Sequence, residues 1–368
     1  MFLFANHTEV HFGAGVLQTI DEVLKDTNYQ SIVVVASNSQ VENGVTDLLE
    51  SLLGNRVKAV VSNIEANPTV DNVDHIVLSC DTHQADLIIA AGGGSAMDAA
   101  KAASAAYARG VDARQLIDDK LVTSALPLVA IPSTSGSASE VTPFAVISDK
   151  ERGLKVSLNS KLLYPKYALV DPEITYSCPP SVTAISGIDV ICHALDSIGS
   201  VNNNPISDAL HLKALKLAFA NLESAYNDGK DVTARSNMAL ASTIAGLGFS
   251  QTATSGSHAM SYYLTSEFGI PHAEACAFSL DQWILYNAEV DNRMDDISAQ
   301  LGFKNTRAMS DEINELKKRL GLRSTFEELG IDKKHIPEIA RQTMAAGNYQ
   351  NNLAQLSENE IIEMLERK

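Results

Sequence analysis

Through the first half of the chain, short β-branched and apolar runs alternate with segments of helical character. The runs are SIVVVA (31–36), VKAVVS (57–62), LIIAA (87–91), LVAI (128–131) and YALV (167–170). Continuous apolar runs of this length between helices read as buried parallel strands. Their alternation with helices predicts a doubly wound sheet. Near Thr175 the pattern changes: Pro179 and Pro180 break the chain, strand-like runs stop, and from Ser181 onward the segments are long and rich in Ala and Leu. One helix is predicted to begin at Asn204-Pro205, because Pro suits the first helical turn. The expected organisation is an α/β domain over residues 1–176 and an all-helical domain over 177–368.

Composition fits this division. A length of 368 residues exceeds one typical core. With 45% hydrophobic and 20% charged residues the chain is globular rather than disordered. A net charge of -17 repels phosphate backbones, so no nucleic-acid partner is expected, and an anionic substrate would need local cations. The first residues lack the basic start and apolar run of a signal peptide. No uninterrupted apolar run approaches the roughly 18 residues of a bilayer span, so no membrane partner and a cytoplasmic location are expected. Cys80, Cys178, Cys192 and Cys276 are scattered without a C-x-x-C pair and read as reduced, small, buried or half-buried residues.

Two polar segments follow strand-like runs. GGGSAMDAAK, from Gly92 to Lys101, opens an Ala-rich helix. Gly92, Gly93 and Gly94 let the backbone approach a ligand, and Ser95 and the helix N-terminus offer N–H groups to a diphosphate. Asp98 and Lys101, in the first turns, either orient the loop or contact a nicotinamide ribose. A plain Gly-rich turn is the alternative, since this is not the G-x-G-x-x-G fingerprint. The stretch from Ile131 to Asp149 is expected to be a polar loop carrying Ser133, Thr134, Ser137 and Thr142 at a strand's carboxyl end, where open α/β sheets bind ligands. An ordinary Ser-rich loop is the competing reading.

In the helical half, Asp189 and His193 stand four apart, which stacks them on one helix face. His258 and His272 lie further on, fourteen residues apart. One carboxylate and three imidazoles make a site for Fe²⁺ or Zn²⁺. Taken singly, each has a plainer reading, as a buried Asp–His pair or a structural His. His7, His11, His75, His83, His211 and His335 show no metal spacing.

Together these segments resemble the iron-containing (group III) alcohol dehydrogenase family over almost the whole chain, from FGAG at Phe12 to the end. The pattern GGGSxxDxAK is met by Gly92 to Lys101. P-x-T-x-G-x-x-SE-V-T is met by Pro132, Thr134, Gly136, Ser139, Glu140, Val141 and Thr142, and the DP segment by Asp171-Pro172. The metal pattern is met by Asp189, His193, His258 and His272. The resemblance implies an α/β dinucleotide-binding domain with a parallel sheet plus an all-helical domain, the architecture shared with dehydroquinate synthase. It implies a homodimer that uses NADPH, NADH or both, and a metal that polarises the oxygen of a small aldehyde or primary alcohol.

Three positions depart from the pattern. Ser37 stands where many members carry an Asp that repels a 2′-phosphate, which suggests that NADPH is accepted. Tyr262 replaces a second His and is a candidate proton donor. Ala273 replaces a Gly. The stretch 202–278 looks closest to the phosphonate-metabolism branch, so phosphonoacetaldehyde leads as substrate, followed by sulfoacetaldehyde, succinate semialdehyde and neutral aldehydes. Lys155, and behind it Arg152, are the expected cations for the substrate's anionic group, Lys155 also reaching the cofactor. A dehydroquinate-synthase-like lyase and a nucleotide-sensing protein on a dead site are the rival readings.

Overall fold

The computed structural model describes residues 1–368, which form two compact units: Asn6–Cys178, and Pro179–Lys368 together with Met1–Ala5. The changeover thus follows Cys178 rather than residue 176. Pro172–Ser177 is a 3-10 turn capped by Asp171, and the Cys178 thiol bonds Ser133 O at 3.1 Å, so this turn stays with the sheet. The first residues belong with the helices, where Ala5 N–H donates to Gln251 Oε1 at 3.1 Å and Gln251 Nε2 donates to Ala5 O at 2.7 Å.

The α/β unit has strands β1 (Glu9–Phe12), β2 (Ile32–Ala36), β3 (Val57–Val61), β4 (Leu87–Gly92), β5 (Leu128–Pro132), β6 (Phe144–Asp149), β7 (Leu154–Asn159) and β8 (Tyr167–Val170). Its helices are α1 (Ile20–Leu24), α2 (Asn38–Glu42), α3 (Val45–Leu53), α4 (Val70–His83), α5 (Gly94–Arg109) and α6 (Ala113–Asp119). Six strands pair in parallel in the order β1-β8-β5-β4-β2-β3. β2, β4 and β5 are buried along their whole length, which is why they read as unbroken apolar runs. Alternate residues feed two cores. Val33, Val35, Ile88 and Ala90 pack with α4 and α5, while Ile32, Val34, Ile89 and Ile131 pack with α1 and α3.

The polar stretch 131–149 is a loop only in its first part, because Phe144–Asp149 is β6, hairpin-paired with antiparallel β7. Its residues alternate between half-buried and buried, a period-2 pattern that the preceding Ser-rich segment obscures.

The helical unit comprises α7 (Pro180–Ile198), α8 (Pro205–Asn227), α9 (Val232–Thr252), α10 (Gly256–Phe268), α11 (His272–Val290), α12 (Arg293–Gln300), α13 (Thr306–Arg319), α14 (Phe326–Leu329), α15 (Ile336–Ala345) and α16 (Glu358–Glu366). Pro180 starts α7 directly after the Pro179 break. At Asn204 a capping box starts α8: Asn204 Oδ1 accepts from Ser207 N at 3.1 Å, and Ser207 Oγ accepts from Asn204 N at 3.0 Å. α7 is long and apolar enough to cross a membrane by length and composition, but 78% of its most apolar window is buried within the protein. It is the central helix of this unit, packed by α8, α9 and α11, and it carries polar residues inward.

Candidate functional site

In the α/β unit, strand register sets the glycine-rich and Ser-rich loops side by side. Ala36 pairs with Ala91, and Gly92 with Pro132, so β2, β4 and β5 end level at their carboxyl edge. A Cβ on Gly92 would lie 2.8 Å from Ala96 Cβ and 3.2 Å from Ser37 Oγ, and one on Gly94 would lie 2.8 Å from Ser137 Cβ. A Cβ on Gly93 would come within 3.4 Å of Thr134 Oγ1, and Ser133 N–H donates to Gly92 O at 2.9 Å. Ser37, Gly92, Gly93, Gly94, Ser133, Thr134 and Ser137 therefore form one polar rim in a cradle that side chains on the glycines would fill. α5 rises from it, with half-buried Ser95 in its first turn. Its N-cap, Gly93, supplies no capping side chain, so the first N–H groups suit a diphosphate.

Of the two roles open to Asp98 and Lys101, their bonds perform the loop-orienting one. Lys101 is 0% exposed, and its Nζ donates to Ser139 Oγ (2.8 Å), Thr142 O (2.8 Å) and Phe144 O (3.0 Å). Asp98 accepts from Ser139 Oγ (2.7 Å) and Val146 N (2.9 Å). Burial pushes the Lys101 ammonium down to about 8, against the opposing charges of Asp98 and Glu140. Burial likewise raises Asp98, with Lys101 opposing. Thr142 is buried too, and both its oxygens face the Lys101 ammonium. Lys101 and Thr142 thus brace the hairpin from inside, the loop-orienting role for Lys101 and a different one from the cofactor contact expected of Thr142.

Lys155 lies half-buried on β7, with Nζ 2.9 Å from Asn67 Oδ1, and its charge is felt by Asp98. Arg152 does not supply the expected free cation. Its guanidinium bonds Asp149 (2.7 Å) and Asp118 (2.8 Å) at the hairpin turn.

In the helical unit, α7 presents Asp189, His193 and Asp196 on one face, α10 presents His258 and Tyr262, and α11 begins at His272. Gly256 lets α10 start against α11, since a Cβ there would lie 2.6 Å from the Trp283 ring. Ligand atoms of Asp189, His258, His272 and Cys276 all lie within 4.8 Å of one another. His193 stands beside them: its Nδ1 is 3.8 Å from Asp189 Oδ2, and its ring stacks between Phe249 (4.2 Å) and His258 (4.7 Å).

These residues fit a cation. Asp189 is 6% exposed, and its Oδ1 has no hydrogen-bond partner. His258 Nε2 stands 3.9 Å away and finds no nitrogen or oxygen within hydrogen-bond reach. Burial pushes Asp189 up to about 6, which His258 opposes and Asp196 reinforces. No hydrogen bond repays the desolvation of Asp189 Oδ1. Oxygen and imidazole donors suit iron or zinc.

Three further residues shape the centre. Asp196 accepts from His258 Nδ1 at 2.8 Å, which turns Nε2 toward Asp189. Burial would raise Asp196, but hydrogen bonds from His258 and nearby backbone hold it low. The Cys276 Sγ lies 3.8 Å from His272 Nε2. Burial raises this thiol, with His258 opposing. Asp196 follows His193 by three residues and Cys276 follows His272 by four, helical spacings readable in the sequence but not used there. Tyr262 stacks near His272 at 6.2 Å, its hydroxyl accepts from Asn348 Nδ2 at 3.4 Å, and burial raises it, so the phenol keeps its proton.

Comparison with known proteins gives full-length matches. The family described as iron-containing alcohol dehydrogenase matches residues 7–172, and the Fe-containing alcohol dehydrogenase family, C-terminal, matches 183–368. A sulfoacetaldehyde reductase of Bilophila wadsworthia is 30% identical over 99% of this chain and 98% of its own. A 1-propanol dehydrogenase of Salmonella typhimurium is 37% identical over 79% of this chain and 75% of its own. The crystal structure of sulfoacetaldehyde reductase from Bifidobacterium kashiwanohense in complex with NAD+ superposes with a TM-score of 0.95 at 31% identity, covering 100% of this chain and 98% of that one.

Proposed function

Since the chain belongs to the iron-containing alcohol dehydrogenase family, we propose that it reversibly reduces a small aldehyde to a primary alcohol, using a nicotinamide cofactor and a divalent metal held by Asp189, His193, His258 and His272. The observation that carries this reading is the convergence of buried donors around the unpartnered Asp189 Oδ1. When bound, the metal supplies Lewis acidity to the substrate oxygen and the cofactor supplies the hydride. The chain's own residues orient and protonate. The glycine rim and the α5 N-terminus bind the diphosphate, Asp196 fixes the His258 ring, and Tyr262 holds a proton on Oη that can pass to the developing alkoxide oxygen. Removing the metal with a chelator should abolish turnover, and His193→Ala should lower metal occupancy and activity together. Full turnover of a chelator-stripped sample overturns the reading.

For the substrate we favour a two-carbon aldehyde bearing an anionic group, phosphonoacetaldehyde or its sulfonate counterpart, with Lys155 as the cation. The end-to-end similarity to sulfoacetaldehyde reductases supports this. The similarity to a 1-propanol dehydrogenase and the engagement of Arg152 with two aspartates favour a second reading, a neutral aldehyde. Specificity constants for phosphonoacetaldehyde, sulfoacetaldehyde, succinate semialdehyde and propanal decide between them. The anionic reading expects a preference of at least about tenfold, roughly 1.4 kcal/mol, which Lys155→Ala erodes. Equal turnover of propanal with no change in Lys155→Ala supports the neutral one.

Ser37 at the rim carries no charge to repel a 2′-phosphate, so NADPH should be accepted beside NADH. Ser37→Asp should shift preference toward NADH. A wild-type preference for NADH above about a hundredfold, roughly 2.7 kcal/mol, contradicts this.

A further inference from the structure

Cys276 is fully buried, yet its surroundings differ from those of an inert thiol. Cys80 in the α/β core sits among apolar residues, where burial alone pushes it up to about 12. Cys276 instead faces titratable and polar groups: the rings of His258 and His272, the Ser261 hydroxyl and the Asp189 carboxylate. We propose that Cys276 supplies its thiolate as a further ligand to the metal held by Asp189, His193, His258 and His272, making the centre a mixed carboxylate–imidazole–thiolate site. This rests on the metal-centre reading above.

The geometry comes from α11. His272 is its first residue and Cys276 lies one turn later on the same face, so the two side chains project together. Sγ lies 3.8 Å from His272 Nε2, within the shared 4.8 Å cluster. Neighbouring donors on one ion, at about 2.0 Å for nitrogen and about 2.3 Å for sulfur, stand roughly 3.0–3.5 Å apart, close to the observed spacing. An independent sign that a ligand belongs here is Asp189 Oδ1, buried, unpartnered and part of the same cluster. Binding forms a metal–sulfur bond and releases the thiol proton to solvent, with no change in oxidation state. A thiolate softens the donor set, so the centre should favour zinc over manganese more strongly than oxygen and nitrogen donors alone would.

The test is zinc loading of the metal-free protein, followed by stoichiometry and X-ray absorption at the zinc edge. The wild type should bind one zinc per chain and show a sulfur at about 2.3 Å beside lighter donors at about 2.0–2.2 Å. Cys276→Ser should lose the sulfur signal and bind zinc about tenfold more weakly or worse, taking the cost of disturbed supporting residues as the lower bound, while manganese affinity changes less. One bound zinc with only light donors in the wild type overturns the thiolate proposal and leaves the metal centre standing. So does a sulfur signal that survives in Cys276→Ser. Failure to bind zinc in stoichiometric amount overturns the metal-centre reading and the thiolate ligand with it. The wild-type spectrum alone decides the matter if the variant does not fold.

Discussion

At Asp196 one carboxylate satisfies four donors: the backbone N–H groups of Ser255, Ser257 and His258, and His258 Nδ1. The first three cap the start of α10 and the fourth sets the imidazole's tautomer, so the residue couples helix placement to ligand direction. A carboxylate only accepts, hence Nδ1 must carry a proton, which leaves Nε2 as the nitrogen that can face a metal. Asp196→Asn keeps the shape but offers one accepting oxygen and an NH₂ group in place of the second. We expect metal affinity to fall about 10–100-fold, read by competition with a chelator, with circular dichroism unchanged. Wild-type affinity in Asp196→Asn would show that the carboxylate serves the helix cap alone. Residue-level chemistry was only partly legible in the sequence. Asp189 and His193 announce themselves by helical spacing, whereas Asp196 and Cys276 share that regularity but belong to residue types with commonplace buried roles. At Lys101 the sequence left loop orientation and ligand contact both open, and only burial shows the ammonium spent on the hairpin.

Between elements, the contact of α8 with α9 depends on His211 and Gly248. His211 is 0% exposed, and a Cβ on Gly248 would lie 2.2 Å from its Nε2. Burial pushes the His211 pKa down to about 3, with a backbone bond at Ala245 opposing. The unfolded chain binds a proton on this ring below about 6.5 while the folded one does not, so acid favours unfolding. The associated stability is fully present above that value and is lost as pH falls toward 3, by about 1.4 kcal/mol per unit. His211→Gln should flatten this acid limb in urea midpoints measured between about pH 4 and 7, and an unchanged slope would place the titration elsewhere. Gly248→Ala should cost about 1–3 kcal/mol by overpacking, at every pH. Element-level reading of the sequence succeeded where burial is complete. β2, β4 and β5 pack on both faces and read as apolar runs, and the α8 start is fixed by Asn204-Pro205. β1 was illegible because it is an edge strand with exposed ends, and β6–β7 because a half-buried hairpin follows a Ser-rich loop without a break.

Across the whole molecule the proposed ligand groups are segregated by unit. The glycine rim belongs to Asn6–Cys178, and every proposed metal donor sits on α7, α10 or α11 of the helical unit. A ligand that binds only the folded state stabilises it by mass action, about 2.7 kcal/mol at a hundredfold excess over Kd. That stabilisation slows backbone exchange most where the bound groups are anchored. Hydrogen exchange followed by mass spectrometry should therefore resolve two footprints. Zinc should protect 180–198, 256–268 and 272–290, because α7, α10 and α11 carry its proposed donors. NADH or NADPH, added to metal-free protein, should protect 92–109 and 133–142, where the N–H groups at the α5 N-terminus gain a phosphate partner. Zinc protection confined to the β4–α5 segment would show that the metal is held by other residues. Cofactor protection absent from that segment would remove the rim from the binding site. Because the two footprints are read separately, either assignment can fail without the other.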